Sequence, residues 1–177
     1  MTGSRPVLAW VLGGWCAVAV TCAAATSGWF APTARRLLKV HFIVSFHHPL
    51  GEAASIWLGN SLATAGTAGC LVLILLAQRL APPPHGVERI PWWVCDALLA
   101  ATAARTAVLA GVLIGAYGTV QLRAFLPDGP VEVLGWALLA CVYIQVRRRR
   151  LGLRGSAIGL LAVEGLLAIA ALLEALL

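Results

Sequence analysis

Long apolar runs alternate with short polar breaks along this chain. The runs are Val7 to Ala31, Ala53 to Leu80, Trp92 to Leu122, Val131 to Val146 and Ser156 to Leu177. A bilayer hydrocarbon core needs ~20 apolar residues of helix to cross it, so the pattern predicts about five transmembrane spans. Small residues recur every four positions in three of them. Gly13, Ala17, Thr21 and Ala25 form a stripe in span one, Ser55, Gly59, Ala63 and Thr67 in span two, and Ala103, Ala107, Gly111 and Gly115 in span three. Such stripes let helix backbones approach closely, within one chain or between protomers. Trp10, Trp15 and Trp29 lie toward the ends of span one, and Trp92 and Trp93 mark the start of span three, as interfacial aromatics should.

The breaks carry their own signals. In residues 32–52, Pro32 can open a helix and Pro49 can end one. Arg35, Arg36 and Lys39 cluster within about a turn, and Val40 to Phe46 is too short to span, which predicts an amphipathic segment lying in the interface. Three consecutive prolines stiffen the loop after Ala81. Between Arg123 and Glu132, Pro127 sets φ, Asp128 bonds its own backbone and Gly129 allows φ > 0, which predicts a tight turn. The expected organisation is a first span over 1–31, an interfacial segment over 32–52 and a four-span domain over 53–177. The fold class is all-α, a polytopic transmembrane helix bundle. Arg5, the apolar core and Ala23-Ala24-Ala25 loosely fit a signal peptide, but the run continues through Trp29 and favours a retained span.

Composition strengthens the membrane reading. The chain is 60% hydrophobic and only 11% charged, too few charges to cover a water-soluble domain. The net charge of +6 comes almost wholly from arginine, placed between the apolar runs. That placement points to topology rather than nucleic acid. With the N-terminus inside, Arg5, Arg79, Arg89, Arg147 to Arg150 and Arg154 lie on the cytoplasmic side, against Arg35, Arg36, Lys39 and Arg123 outside. This predicts N-in and C-out, with the basic segment at 35–39 running against the rule. The five cysteines show no CxxC spacing and read as small buried hydrophobes.

Candidate chemistry rests on polar residues within apolar runs: Asn60, Arg105, Glu132, Glu164 and Glu174. A charge at a helix centre costs ~2.5–3.5 kcal/mol on insertion scales, so such groups usually face the bundle interior. Asp96 and Arg105 are half a turn out of phase and need separate partners. Arg105 and Glu164 are expected at similar depth, either as an interhelical clamp or as part of a polar path for a transported species. The Arg147, Arg148, Arg149 and Arg150 run is a topological anchor that can also engage anionic lipid. His41 and His48 share a helical face and, with His47, are the candidate metal or haem ligands, yet no companion ligand motif accompanies them. A solvated interfacial cluster is the favoured reading. No catalytic motif is present; a membrane-enzyme reading can rest only on Asp128 and Glu132 as acid and base or on the histidines. No cofactor is predicted.

Leu126-Pro127-Asp128-Gly129-x-x-Glu132 resembles the Leu-Pro-His-Gly-x-x-Glu signature of the stage II sporulation protein M family of membrane proteins. Gly59-Asn60-Ser61-Leu62-Ala63 resembles that family's Asn-containing start of a span, and the stretch Ala170 to Leu176, with Glu174, resembles its C-terminal Ala-Ala-x-x-Glu-Ala pattern. The resemblance covers about residues 53–177. Asp128 stands where the family signature has His, and Val133 where Leu-Pro is usual. The resemblance implies a bacterial inner-membrane protein without catalytic activity that works through envelope or membrane partners. The expected function is a non-catalytic subunit of a larger membrane assembly, in contact with lipid, other membrane proteins or a second copy. The alternative is a transporter or permease component using Asn60, Arg105 and Glu164.

Overall fold

The computed structural model describes residues 4–38, 49–80 and 90–176, all helical apart from short turns. The first helix, α1 (Ser4–Ala25), passes through a π-helical turn (Thr26–Phe30) into α2 (Ala31–Leu38) without a break. Then come α3 (Pro49–Leu80), α4 (Ile90–Tyr117), α5 (Thr119–Phe125), α6 (Gly129–Arg147) and α7 (Leu153–Leu176). Among the described residues, four helical stretches are long and apolar enough to cross a membrane: Leu8–Leu38, Trp92–Tyr117, Gly129–Arg147 and Leu153–Leu176. The chain has the build of a multi-pass membrane protein. The second expected span falls on α3, a helix of 32 residues.

Pro32 does not open a new helix, contrary to expectation. A proline has no N–H to donate and its ring collides with the carbonyl four residues back. The π-turn over Thr26–Phe30 lies immediately ahead of Pro32, and its wider i→i+5 spacing accommodates that defect. The expected interfacial segment therefore divides. Its first part continues the first helix as α2, residues 39–48 lie outside the described residues, and 49–52 form the first turn of α3.

Helix directions follow from paired residues. Trp15 meets Thr106, Ala19 meets Gly111 and Ala23 meets Gly115. Both numbers rise together, so α1 and α4 run parallel. Gly135 packs on Leu167 and Gly159 on Val142, so α6 and α7 are antiparallel. Ser61 and Thr64 of α3 bond Glu164, while Glu52 lies electrostatically near Glu174, so α3 and α7 are antiparallel too. The near end of the bundle, where α1 starts, holds the starts of α4 and α7 and the ends of α3 and α6. The far end holds the remaining termini and α5.

Two substructures result. The α1–α4 pair is tight because of the α4 stripe. A methyl group on Gly111 would strike the Ala19 carbonyl and lie 2.7 Å from Cys22 Cβ, and one on Gly115 would lie 2.8 Å from Thr26 Cβ. Gly13 of the α1 stripe and Gly59 of the α3 stripe do not serve the fold in this way: both are exposed, with no atom near a Cβ built on them. The α3, α6 and α7 group is held by side chains instead. Leu71, Leu139, Val146, Val163 and Leu167 are fully buried in one cluster that also takes in Trp92 and Cys95 of α4.

The connections have a local logic. Gly118, at φ 63°, reverses the chain after α4, a conformation that favours glycine. The seven residues of α5 then run back ~10 Å, and Phe125 stacks on Trp15 with ring centroids 6.4 Å apart. Gly129 is needed for its size rather than for φ > 0. It is not among the described residues with positive φ, and a methyl group there would collide with the Phe125 ring. At the other end of α6, Arg149 adopts φ 56°, and the N–H of Arg150 reaches back to the Gln145 carbonyl to close the helix.

Candidate functional site

Polar side chains of the apolar helices collect at three levels. At the near end, Trp92 and Asp96 lie one turn apart on α4, and Tyr143 and Arg147 one turn apart on α6. The spacing of four puts each pair on one helix face. The Tyr143 hydroxyl donates to Asp96 Oδ1 at 2.6 Å. Arg147 donates through Nε to Oδ1 at 3.3 Å and through Nη2 to Oδ2 at 3.1 Å. The guanidinium also lies over the Trp92 ring, 4.3 Å from its centroid. Fork geometry, a shared hydroxyl and an aromatic face make this a charge-assisted clamp. Asp96 thus finds its partner on α6, and the expectation that Asp96 and Arg105 do not pair holds.

At mid-depth, Glu164 of α7 accepts hydrogen bonds from Ser61 at 2.6 Å and from the buried Thr64 at 3.1 Å. Two hydroxyls from α3 satisfy the carboxylate without a cation. The expected Arg105–Glu164 pairing is not made. Arg105 is exposed on α4 and forms no hydrogen bond or ion pair with another described residue. The reason is angular: Arg105 lies about 180° around α4 from Asp96, which faces α6. Asn60 is half-buried on α3, one position before Ser61.

At the far end, Glu132 accepts from Trp136 Nε1 at 3.3 Å, one turn along α6. Asp128 and Pro127 are half-buried and Gly129 is buried in the turn before it. Burial pushes the Asp128 carboxyl above its ordinary range, with its own backbone N–H and that of Gly129 opposing the shift. Glu174, exposed in the last turn of α7, shares this end with Asp128, Glu132 and Glu52. Also at this end, Arg35 of α2 donates to the Ala116 carbonyl and sits 5.9 Å from the Tyr117 ring centroid, so a cation neutralises the C-terminal end of α4. Among the described residues no group of three or more His, Cys, Asp or Glu side chains is placed to hold a metal ion. His41, His47 and His48 lie outside the described residues. Arg148, Arg149 and Arg150 are exposed at the near end beside the half-buried Arg147.

Between α1, α4 and α6 runs an apolar groove of about 510 Å³. Alanines on α4 and α6 leave the space open, Trp15 and Trp136 line it, and Asp96 and Tyr143 stand at its near end. Its size falls within the ~300–1,000 Å³ of small-molecule sites. The groove and clamp escaped the reading of the sequence, although the i, i+4 pairs Trp92/Asp96 and Tyr143/Arg147 were a usable signal. The chain matches no protein-family model, no curated protein and no solved structure.

Proposed function

We propose that this chain is a five-span membrane subunit without catalytic activity, N-terminus inside and C-terminus outside, that works by docking against other membrane helices. The fifth span is α3. If α1 and α4 both cross the bilayer in parallel, an odd number of crossings must separate them, and α3 is the described helix between them. Exposed Trp10 and Trp29 on the first helix are ~28 Å apart at 1.5 Å per residue, close to the ~30 Å hydrocarbon thickness. The near end carries Arg147 to Arg150 and Arg154, and this basic cluster supports a cytoplasmic side for it. A bacterial inner membrane, and the likeness to stage II sporulation protein M proteins in the Pro127 to Glu132 turn, fit this reading.

The observation that carries the subunit reading is Arg105. It is exposed about midway along α4, and a cation there costs ~2.5–3.5 kcal/mol on insertion scales unless a partner meets it. The unfilled small-residue faces at Gly13 and Gly59 offer close approach for neighbouring helices. Inside the chain, Asp96 and Glu164 are satisfied by interhelical hydrogen bonds, which favours clamps over a continuous path for a transported species. The test is extraction in gentle detergent, with native electrophoresis and mass spectrometry of the wild type, Arg105→Leu and Arg105→Lys. The expected result is a stoichiometric helical membrane partner, or a defined homo-oligomer, that Arg105→Leu loses and Arg105→Lys keeps. A wild-type chain that runs as a lone monomer, or an assembly indifferent to Arg105→Leu, would overturn the reading.

A further inference from the structure

We infer that the groove between α1, α4 and α6 binds one acyl chain of an anionic phospholipid from the leaflet at the near end, with the headgroup at the arginines that follow Tyr143. The inference rests on the membrane reading above and goes beyond the subunit role. The groove's carboxylate and hydroxyl lining is confined to its near end, at Asp96 and Tyr143, and the rest is alanine, glycine, leucine, isoleucine, valine and tryptophan. On α6 it extends from Val133 to Ile144, a rise of ~16 Å, about half of the ~30 Å hydrocarbon core and so one leaflet deep. An unfilled apolar cleft forfeits dispersion contacts along both walls, and in a bilayer the molecule at hand to fill it is a lipid chain.

Charge selects the headgroup. Asp96 is neutralised by Arg147, which spends two of its three guanidinium nitrogens on it. Arg148, Arg149, Arg150 and Arg154 are exposed at the same end. Basic clusters at the cytoplasmic side of helix bundles attract anionic headgroups. A phosphate at the groove mouth therefore meets a strong excess of cations, whereas a zwitterionic headgroup gains less from it.

The experiment reconstitutes the full chain into phosphatidylcholine vesicles doped with phosphatidylglycerol, then reads retained lipid by native mass spectrometry. The wild type should keep one phosphatidylglycerol per chain in preference to phosphatidylcholine. Ala103→Phe and Ala140→Phe, which fill the groove from different walls, should each lose the stoichiometric lipid while the helical content stays intact. The triple change Arg148→Gln, Arg149→Gln, Arg150→Gln should keep a lipid in the groove but lose selectivity, by about fivefold per arginine. Retention of phosphatidylglycerol by a folded groove-filled variant, retention of a neutral lipid instead, or absence of selection by the wild type would each overturn the inference. The last two outcomes need no variant to fold. A chain that fails to insert into the vesicles would instead contradict the membrane reading.

Discussion

The two substructures are held together by different physics. In the α1–α4 pair the backbones touch: the Ala19 and Ala23 carbonyls lie where the Cβ atoms of Gly111 and Gly115 would be. In the α3, α6 and α7 group, large side chains fill the space, with Leu71, Leu139 and Leu167 fully buried. On the proposed five-span reading both lie in lipid, which is as apolar as leucine, so neither association draws on the hydrophobic effect and both rely on packing and hydrogen bonds. The difference lies in what can yield. A side-chain core can repack around a smaller or shifted residue. A backbone carbonyl against a glycine cannot move without moving the helix.

The sharpest way to break this comparison is Gly111→Val. Its side chain has to displace the Ala19 backbone, so the pair should separate at a cost of about 3 kcal/mol, the upper range for overpacking. Thermal melting in detergent, with crosslinking between α1 and α4, reads it; unchanged crosslinking would refute the close pairing. Leu167→Ala hollows out the other group. In lipid the lost transfer energy largely drops out, so the expected loss is about 2 kcal/mol, toward the low end for buried leucines. A loss larger than that of Gly111→Val would reverse the contrast.

Asp96→Ala tests the clamp that ties the pair to the larger group. The Asp96–Arg147 side chains are 43% and 32% exposed, so screening reduces the value of a fully buried pair. About 1–2 kcal/mol is expected, measured as a coupling energy in a double-mutant cycle with Arg147→Ala. The smallest effect concerns Asp128. Its carboxyl is raised by burial above the ordinary 3.8, so the stabilising protonated form is fully present below that value and lost as pH rises through the folded one. Asp128→Asn should melt higher than the wild type by about a degree at pH 7, and the gap should close on acidification toward pH 4. A gap that widens in acid would have the wrong sign.

Much of this architecture can be read from residue order. The apolar runs foretell the helices, and the small stripe of α4 foretells a close contact, because both depend on local periodicity. The far-end turn is legible too, since Pro127 and Gly129 act over a few residues. Which partner meets which face is not local. The α1 stripe at Gly13 and Ala17 resembles that of α4, yet α1 docks through Trp15, Ala19, Cys22 and Ala23, a different face. Pro32 gives a start signal that the preceding π-turn cancels. Similar depth is what residue order predicts for Arg105 and Glu164, but depth does not fix the angle around a helix, and two hydroxyls from α3 take the carboxylate. The clamp joins residues 47 to 51 positions apart, a pairing set by the register of α4 against α6.

The central claim is that α3 crosses the bilayer, so that α1 and α4 run the same way. In a background with the five native cysteines replaced, single cysteines at Leu50 and Val120, exposed at the far end, and at Trp93 and Leu153, exposed at the near end, would be labelled with an impermeant thiol reagent on intact cells. The account predicts that Leu50→Cys and Val120→Cys react from outside, and that Trp93→Cys and Leu153→Cys react only after permeabilisation. Labelling of Leu50→Cys and Trp93→Cys from the same side would mean that α3 does not cross, and would contradict the five-span account.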